Sequence, residues 1–169
     1  MMDFSLISQQ IWFKNLAYEQ RELLQQSLFL VEDMRQHHRQ FFDYSFVIMP
    51  AAKAYEGFVK DVLFKLGLIS EKHYLGTHFR VGKSLNPELE QMPYLKKEAL
   101  YDELTRSFGE ETVPRAMWDT WKACRNQTFH YFPKEEKTVS LDMARSRVEQ
   151  IMEVIKMVIT HPTYQKLAS

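Results

Sequence analysis

Apolar residues recur at three-, four- and seven-residue steps along most of this chain. That spacing is typical of one face of an α-helix, and it covers residues 8–35, 39–66, 94–108 and 140–161. An amphipathic helix must bury its apolar face against another element, so several of them predict a helical bundle around a shared core. We therefore expect an all-α fold of about five or six helices, built as one domain over residues 1–169.

Helix ends are marked by residues with particular backbone preferences. Gly67 and Gly109 suit the left-handed conformation that often follows the last turn of a helix. Pro114 suits the first turn of a helix, and Ser140 suits the N-cap of the last one. Pro50 lies inside a periodic apolar stretch, where it either kinks one helix or begins a second.

Residues 68–93 lose the helical pattern and are predicted to form one long irregular connection. They contain Lys72, Arg80 and Lys83, and no acidic residue lies within 72–87. A cationic loop of this kind can follow the backbone of single-stranded RNA, and we list these three side chains as candidate RNA ligands. The alternative is a solvated loop with scattered cations.

The composition restricts the class of function. The chain has 22 Lys and Arg residues and 22 Asp and Glu residues. The resulting net charge of zero excludes the broad basic surface of a nonspecific nucleic-acid coat, but leaves room for a local basic groove. The sequence shows no P-loop, glycine fingerprint or nucleophile elbow, and no cluster of metal ligands. We therefore expect no cofactor and no metal.

Several features predict a cytoplasmic protein. The single cysteine, Cys124, cannot form an intrachain disulfide, which fits a reducing compartment. Its place on an apolar helix face predicts a buried side chain, with a reactive thiol as the alternative. Residues 1–15 lack the basic and apolar regions of a signal peptide, and no apolar run approaches the roughly 18 residues of a membrane span.

The stretch Arg125-Asn126-Gln127-Thr128-Phe129-His130 carries the most distinctive chemistry. Arginine holds a phosphate through two parallel hydrogen bonds, and histidine exchanges a proton near neutral pH. On a regular helix, residues five apart differ by about 140° in direction, because each residue turns about 100°. Arg125 and His130 can therefore meet in two ways. The helix unwinds before Pro133, or two copies of the chain bring their motifs together, and we favour the dimer.

These residues resemble the R-x4-6-H motif of the HEPN superfamily, in which a polar residue usually follows the arginine, as Asn126 does. The earlier stretch FVIMPAAKAYEGFVKDVLFKLGLI is similar to the glutamate-bearing helix of the HEPN part of RNase LS-type toxins. In that comparison Glu56 matches a glutamate of the active site. The resemblance covers roughly residues 40–160.

The resemblance implies a metal-independent endoribonuclease that works as a homodimer, as the toxin or effector of a prokaryotic toxin–antitoxin or defence system. A cognate antitoxin protein is then an expected partner, and RNA the substrate. His130 would transfer protons and Arg125 would stabilise charge on the phosphoryl oxygens. Asn126 would orient the site, and Glu56 would hold the arginine or the imidazole, or act as partner base.

Other interpretations of the same residues stay open. Tyr131 either stacks on a base or binds a phosphate as a substrate ligand, or packs at an interface. The aromatic residues Trp118, Trp121 and Phe129 are expected in the core rather than on a base-stacking surface. For the whole chain, the alternative to an enzyme is a non-catalytic HEPN-like helical module for nucleic-acid binding or protein association.

Overall fold

A computed structural model describes residues 4–92, 94, 98–130 and 138–168, and every regular element in these ranges is helical. The helices are α1 (Phe4–Ile7), α2 (Ile11–Lys14), α3 (Tyr18–Gln36), α4 (Ser45–Lys65), α5 (Glu71–Leu75), α6 (Val81–Ser84), α7 (Tyr101–Phe108), α8 (Thr112–Trp121), α9 (Gln127–Phe129), α10 (Leu141–Thr160) and α11 (Pro162–Ala168). Five of these have eight or more residues. The predicted all-α bundle is confirmed.

Helix α4 lies at the centre of the bundle. It packs against α3 along its length and against α10, which in turn contacts α3 and α8. Its buried residues lie on one broad side, whereas Met49, Lys53 and Phe64 on the opposite side are exposed. Tyr55, Val59 and Val62 are fully buried, and the buried residues of the long helices form one connected core. Within the described ranges, no helix is both long and apolar enough to cross a membrane.

Pro50 lies inside α4, which continues through it as one helix. Proline has no amide hydrogen and usually disturbs the hydrogen bonds of its own turn. The neighbouring Ala51 N donates a hydrogen bond of 2.8 Å to Ser27 Oγ on α3, and this bond explains why the Ser27 hydroxyl is fully buried. The predicted helix over 39–66 is therefore one helix that begins later, at Ser45.

The single helix predicted over residues 8–35 is wrong. The chain leaves the helix at Asn15 and starts α3 at Tyr18. Trp12, Phe13 and Leu16 are all buried, and α2 contacts α10. Two adjacent buried aromatic residues point to different sides of a helix, so a separate, differently directed turn places both of them in the core.

In the described residues between α4 and α7, no helix is longer than five residues, in agreement with the prediction of an irregular connection over 68–93. It is nevertheless built from helical turns, namely α5, α6 and a 3₁₀ turn at Pro87–Gln91. Tyr74 holds α5 on α4. Its hydroxyl donates to Asp61 Oδ1 at 2.7 Å and its ring stacks on Phe64, with centroids 4.6 Å apart. That hydrogen bond to a carboxylate raises the pKa of Tyr74 to about 12.

The other predicted helix boundaries agree to different degrees. Pro114 lies in the first turn of α8, and the Ser140 hydroxyl accepts a hydrogen bond from Met143 N as the N-cap of α10. Gly67 and Gly109 both have positive φ, 72° and 73°, after the helices they follow. Of the helix predicted over 94–108, residues 95–97 lie outside the described residues, and α7 begins at Tyr101.

Candidate functional site

The helix that carries the arginine–histidine motif changes its winding inside the motif. Helix α8 gives way to a π-helical turn, Lys122–Asn126, which is followed by the short α9. In the π turn, the Gln127 N–H donates to the Lys122 carbonyl five residues back. The hydroxyl of Thr128 donates to the Ala123 carbonyl at 2.8 Å, which is again a five-residue step. Such turns are rare and are found frequently at functional sites.

The helix then ends at His130, whose backbone is extended at φ −97° and ψ 131°. The wider turn and the extended residue change the direction of the two side chains, and both Arg125 and His130 line the same cleft. Of the two arrangements open from the sequence, local unwinding is the one observed. One chain is thus sufficient to bring these residues together, and a dimer is not required for it.

This cleft, which we call the α4 cleft, has a volume of about 590 Å³. The size is typical of ligand-binding pockets. One side is formed by the motif segment and the other by α4 and the residues just before it. The charged and polar side chains that line it are Asp43, Ser45, Lys53, Glu56, Arg125, Thr128 and His130.

Arg125 is held from two sides and stays partly open to solvent. Its Nε lies 3.8 Å from Glu56 Oε2, and its guanidinium lies 5.6 Å from the centre of the Trp121 ring. The first distance is too long for a hydrogen bond, so the contact is an ion pair that leaves this N–H free to donate. The side chains of Arg125 and Glu56 are 42% and 37% exposed, which makes both accessible to an anionic ligand.

The back of the motif helix is fixed to the core. Cys124 is fully buried, with Sγ 3.6 Å from both the Arg147 carbonyl and Gln150 Oε1 on α10. Burial raises the pKa of the Cys124 thiol to about 12, so it is a packing residue and not a nucleophile. Tyr55 on α4 donates a buried hydrogen bond of 2.8 Å to the Met117 carbonyl of α8. Helices α4 and α10 therefore position the helix that carries Arg125.

Asp43 fixes the edge of the α4 cleft. Its Oδ1 accepts from Ser45 N at 2.7 Å, and its Oδ2 accepts from Val139 N at 2.9 Å. The Tyr44 N–H completes the link by donating to the Val139 carbonyl. Partial burial alone would raise the pKa of Asp43, but the hydrogen bonds from Ser45 and Val139 outweigh it and lower the pKa. A carboxylate used in this way is an anchor rather than a base.

A second cleft of about 470 Å³ adjoins the first and shares Glu56, Arg125 and His130 with it. We call it the α6 cleft. Its other charged and polar side chains are Arg80, Lys83, Asn86 and Asn126, and its aromatic ones are Phe79, Trp118 and Trp121. The three shared residues therefore stand between two open spaces, one on each side.

Close packing at one glycine brings α6 to the site. A Cβ on Gly82 would lie 2.5 Å from Trp121 Nε1, so only glycine allows the α6 backbone to lie against this indole. The same indole contacts the guanidinium of Arg125. The α6 turn and the Arg125 side chain therefore both pack against the buried Trp121.

The predicted site residues divide into three groups. Arg125, His130 and Glu56 line both clefts. The α6 cleft alone contains Asn126, Arg80 and Lys83, although Lys83 also forms an ion pair with Glu98 at 2.9 Å. Lys72 is exposed on α5 and lines neither cleft, and Tyr131 lies outside the described residues. Of the aromatic residues expected in the core, Trp118 and Trp121 are buried, whereas Phe129 is half-buried and lines the α4 cleft.

Two further residues of the α4 cleft, Lys53 and Asp43, are not among the residues predicted from the sequence. Lys53 lies three residues before Glu56, so both side chains lie on one face of α4. A lysine and a glutamate with this spacing in the otherwise apolar stretch 46–59 are the available signal. Asp43 gives no comparable signal, because its partner Val139 is far along the chain.

Among the residues that the structure describes, no three His, Cys, Asp or Glu side chains gather closely enough to hold a metal ion. Comparison of the chain with protein-family models, with curated proteins and with solved structures finds no match. The function therefore has to be inferred from the residues of the two clefts and their geometry.

Proposed function

We propose that this protein is a metal-independent endoribonuclease of HEPN type, in which Arg125, His130 and Glu56 act on one RNA phosphodiester. The observation that supports the proposal most is that these three side chains, from two different helices, line one cleft within a single chain. Arginine, histidine and glutamate together can bind a phosphate and move protons, which are the two requirements of the reaction.

In the proposed reaction the 2′-hydroxyl oxygen of the RNA attacks the adjacent phosphorus, and the bond from phosphorus to the 5′-oxygen breaks. The proton of the 2′-hydroxyl passes to a base, and an acid gives a proton to the leaving 5′-oxygen. The products are a 2′,3′-cyclic phosphate and a 5′-hydroxyl. His130 serves in one of these proton transfers. Arg125 stabilises the negative charge that grows on the phosphoryl oxygens.

Glu56 and Asn126 support these two residues. The ion pair with Arg125 places the Glu56 carboxylate where it can fix the guanidinium or act as the partner base to His130. Asn126 lines only the α6 cleft, next to Arg125, which suits an orienting hydrogen bond better than proton transfer.

The cellular role that goes with this proposal comes from the resemblance. We infer a toxin or effector of a prokaryotic toxin–antitoxin or defence system, in the cytoplasm, with a cognate antitoxin protein as a partner. The homodimer also stays a prediction, and in this proposal each subunit holds its own Arg125 and His130.

Cleavage of a single-stranded RNA by the purified protein tests the proposal. We expect wild type to cleave it in the presence of excess chelator and to leave 2′,3′-cyclic phosphate ends. Arg125→Ala and His130→Ala should each lower kcat by a factor of about 100 or more. Lys122→Ala, which removes an exposed charge in the same turn, is the matched control and should cleave like wild type. Equal activity in all four proteins would refute the assignment.

A second candidate function, a non-catalytic module for protein association, is favoured by an exposed apolar cluster. Phe41, Phe42, Phe46 and Met49 are 50%, 89%, 36% and 57% exposed. The rings of Phe41 and Phe46 are in contact, with centroids 5.3 Å apart, and Met49 lines the α4 cleft. Large exposed apolar groups in one place are typical of binding surfaces. This candidate predicts no cleavage by wild type, together with a change in association when Phe42 is replaced by Ser.

A further inference from the structure

The two clefts form one path across the candidate catalytic residues. Both are lined by Glu56, Arg125 and His130, so an extended ligand that occupies both must pass these three side chains. On the proposed function, the scissile phosphate lies at this shared point. The nucleotides on its two sides then occupy the α4 cleft and the α6 cleft.

Counted over the residues that the structure describes, the two clefts differ in charge. The α6 cleft contains three cations, Arg80, Lys83 and Arg125, and one carboxylate, Glu56. The α4 cleft contains two cations, Lys53 and Arg125, and the two carboxylates Asp43 and Glu56. Because each nucleotide adds one negative phosphate, the α6 cleft is the better place for a phosphate next to the scissile one.

Of the cations in the 68–93 segment, Arg80 is the one available for that phosphate. Lys83 already forms an ion pair with Glu98, and Lys72 is outside both clefts. Arg80 is exposed, and among the described residues no carboxylate lies within ion-pair distance of it. An arginine with free N–H groups can bind a phosphate through two hydrogen bonds, which a lysine cannot.

The backbone that carries Arg80 is fixed relative to Arg125. The Arg80 carbonyl accepts hydrogen bonds from Lys83 N and Ser84 N, which close the α6 turn. Gly82 lies against Trp121, whose ring also contacts Arg125, and the Ser84 carbonyl accepts from Leu100 N at 2.8 Å. The turn is therefore held in place before any ligand binds.

We propose that the α6 cleft is a subsite for the nucleotide next to the cleavage point and that Arg80 binds the neighbouring, non-scissile phosphate. This inference rests on the proposed ribonuclease function and adds to it. It identifies the substrate as a strand with at least two consecutive phosphates, the scissile one and one neighbour in the α6 cleft, and it separates the role of Arg80 from that of Arg125.

Short substrates with a single cleavable bond test this assignment. One is a dinucleotide whose only ribose precedes the scissile phosphate. Two trinucleotides extend it by one deoxynucleotide, on the 5′ or the 3′ side, with mixed bases at each position. We expect Arg80→Ala to leave kcat/KM on the dinucleotide unchanged and to lower it about tenfold on one trinucleotide only, because a charged hydrogen bond is lost there.

Two further measurements separate this role from a general loss of charge or of folding. Lys72→Ala removes a cation from the same segment and should match wild type on all three substrates. With a long RNA, log(kcat/KM) falls as log salt rises, and Arg80→Ala should make this negative slope shallower by about 0.7, the value for one phosphate contact to a single strand.

Each outcome decides a separate point. Equal losses on all three substrates would overturn the subsite, because Arg80 would then act at the scissile phosphate or on the fold. The subsite would also be overturned if Arg80→Ala showed no loss of kcat/KM on either trinucleotide. Cleavage of these substrates by wild type would in both cases still support the proposed function. If wild type cleaves none of these substrates and no long RNA, the proposed function fails, and the subsite fails with it.

Discussion

The two helices that form the site are built in opposite ways. Helix α4 is α-helical over its whole length, packs one side against α3 and α10, and passes through Pro50 without ending. The helix that begins at Thr112 changes from α to π winding at Lys122 and ends in an extended residue at His130. Glu56 comes from the regular helix, and Arg125 and His130 come from the irregular one.

The difference shows how a helical bundle can bring together side chains that helical spacing separates. On a regular helix Arg125 and His130 would point about 140° apart. The π turn and the extended end remove that separation locally, while α4 and α10 hold the rest of the helix in place through Tyr55 and Cys124. The regular helix forms the fixed side of the α4 cleft, and the irregular one brings the Arg125 and His130 side chains to it.

Deletion of Lys122 tests most directly whether the irregular winding of the motif helix is needed for the site. A π turn holds one residue more than the α turn it replaces, so removing an exposed residue from it should restore regular α winding. The flanking α segments then keep their buried faces, but Arg125 and His130 diverge. We expect kcat for RNA cleavage to fall by a factor of about 100 or more, since a misplacement of about 1 Å has effects of that size.

The control for this deletion is Lys122→Ala, which removes the same charge and keeps the π turn. Far-ultraviolet circular dichroism should show that both variants stay helical. A deletion variant with wild-type kcat would show that the winding of the motif helix has no part in the site.

The second prediction concerns the regular helix. Glu56→Gln keeps the shape of the side chain but removes its charge, and with it the ion pair to Arg125. We expect kcat to fall about tenfold, because the guanidinium loses one of the two groups that hold it and any proton transfer by the carboxylate is lost. Glu153→Gln, at an exposed position of α10, is the matched control. An unchanged kcat would remove Glu56 from the site.

The third prediction measures how firmly α4 is joined to the chain after the motif. Asp43→Asn removes one of the two acceptors for the Ser45 and Val139 amides. We expect it to lower the free energy of unfolding at pH 7 by about 1 kcal/mol. The pKa of Asp43 is lowered in the folded state, so its contribution is present above the ordinary aspartate pKa of about 3.9 and is lost as the pH falls through the folded value.

Urea unfolding of wild type and Asp43→Asn at a series of pH values between 7 and 3 tests this. The difference between the two proteins should narrow as the pH falls below about 4, because the carboxylate of the unfolded wild type takes up a proton there, while the folded one stays charged to lower pH. A difference that is constant over the whole range would show that the carboxylate charge does not contribute.

The smallest expected effect belongs to Lys53, the cation of α4 that faces the same cleft as Glu56. Lys53→Ala should raise KM about threefold and leave kcat nearly unchanged, because an exposed lysine contributes a modest attraction to the phosphate backbone. Lys156→Ala, at an exposed position of α10, is the control for the loss of one charge. A large fall in kcat would instead place Lys53 at the reacting phosphate.

Much of the fold can be predicted from the sequence, because helices that pack on a core have apolar residues at helical spacing. The all-α class, the helix starts at Pro114 and Ser140 and the stops at Gly67 and Gly109 each depend on local spacing or on one residue's backbone preference. The break between α2 and α3 does not follow. It depends on which partner helix covers Trp12 and Phe13, and no local preference records that choice.

The site shows the same division. The chemistry of Arg125 and His130 is visible in the sequence, whereas the π turn that directs them is not, because its hydrogen bonds use no residue type that α-helices avoid. From the sequence, Lys72, Arg80 and Lys83 are equal candidates in one predicted loop. The structure separates their roles, because Gly82 packs on Trp121 and Glu98 forms an ion pair with Lys83. These contacts join distant parts of the chain, and local sequence patterns do not predict them.

In the proposed enzyme, one chain by itself gathers Arg125 and His130 into a working site. Co-expression of Arg125→Ala and His130→Ala subunits, each with a different affinity tag, tests it through the ribonuclease activity of the doubly tagged complexes. We predict that mixed complexes stay as inactive as either variant alone, because no chain in them has both residues. Recovery of a substantial part of the wild-type activity would show that the site is shared between subunits, and would contradict a site formed within one chain.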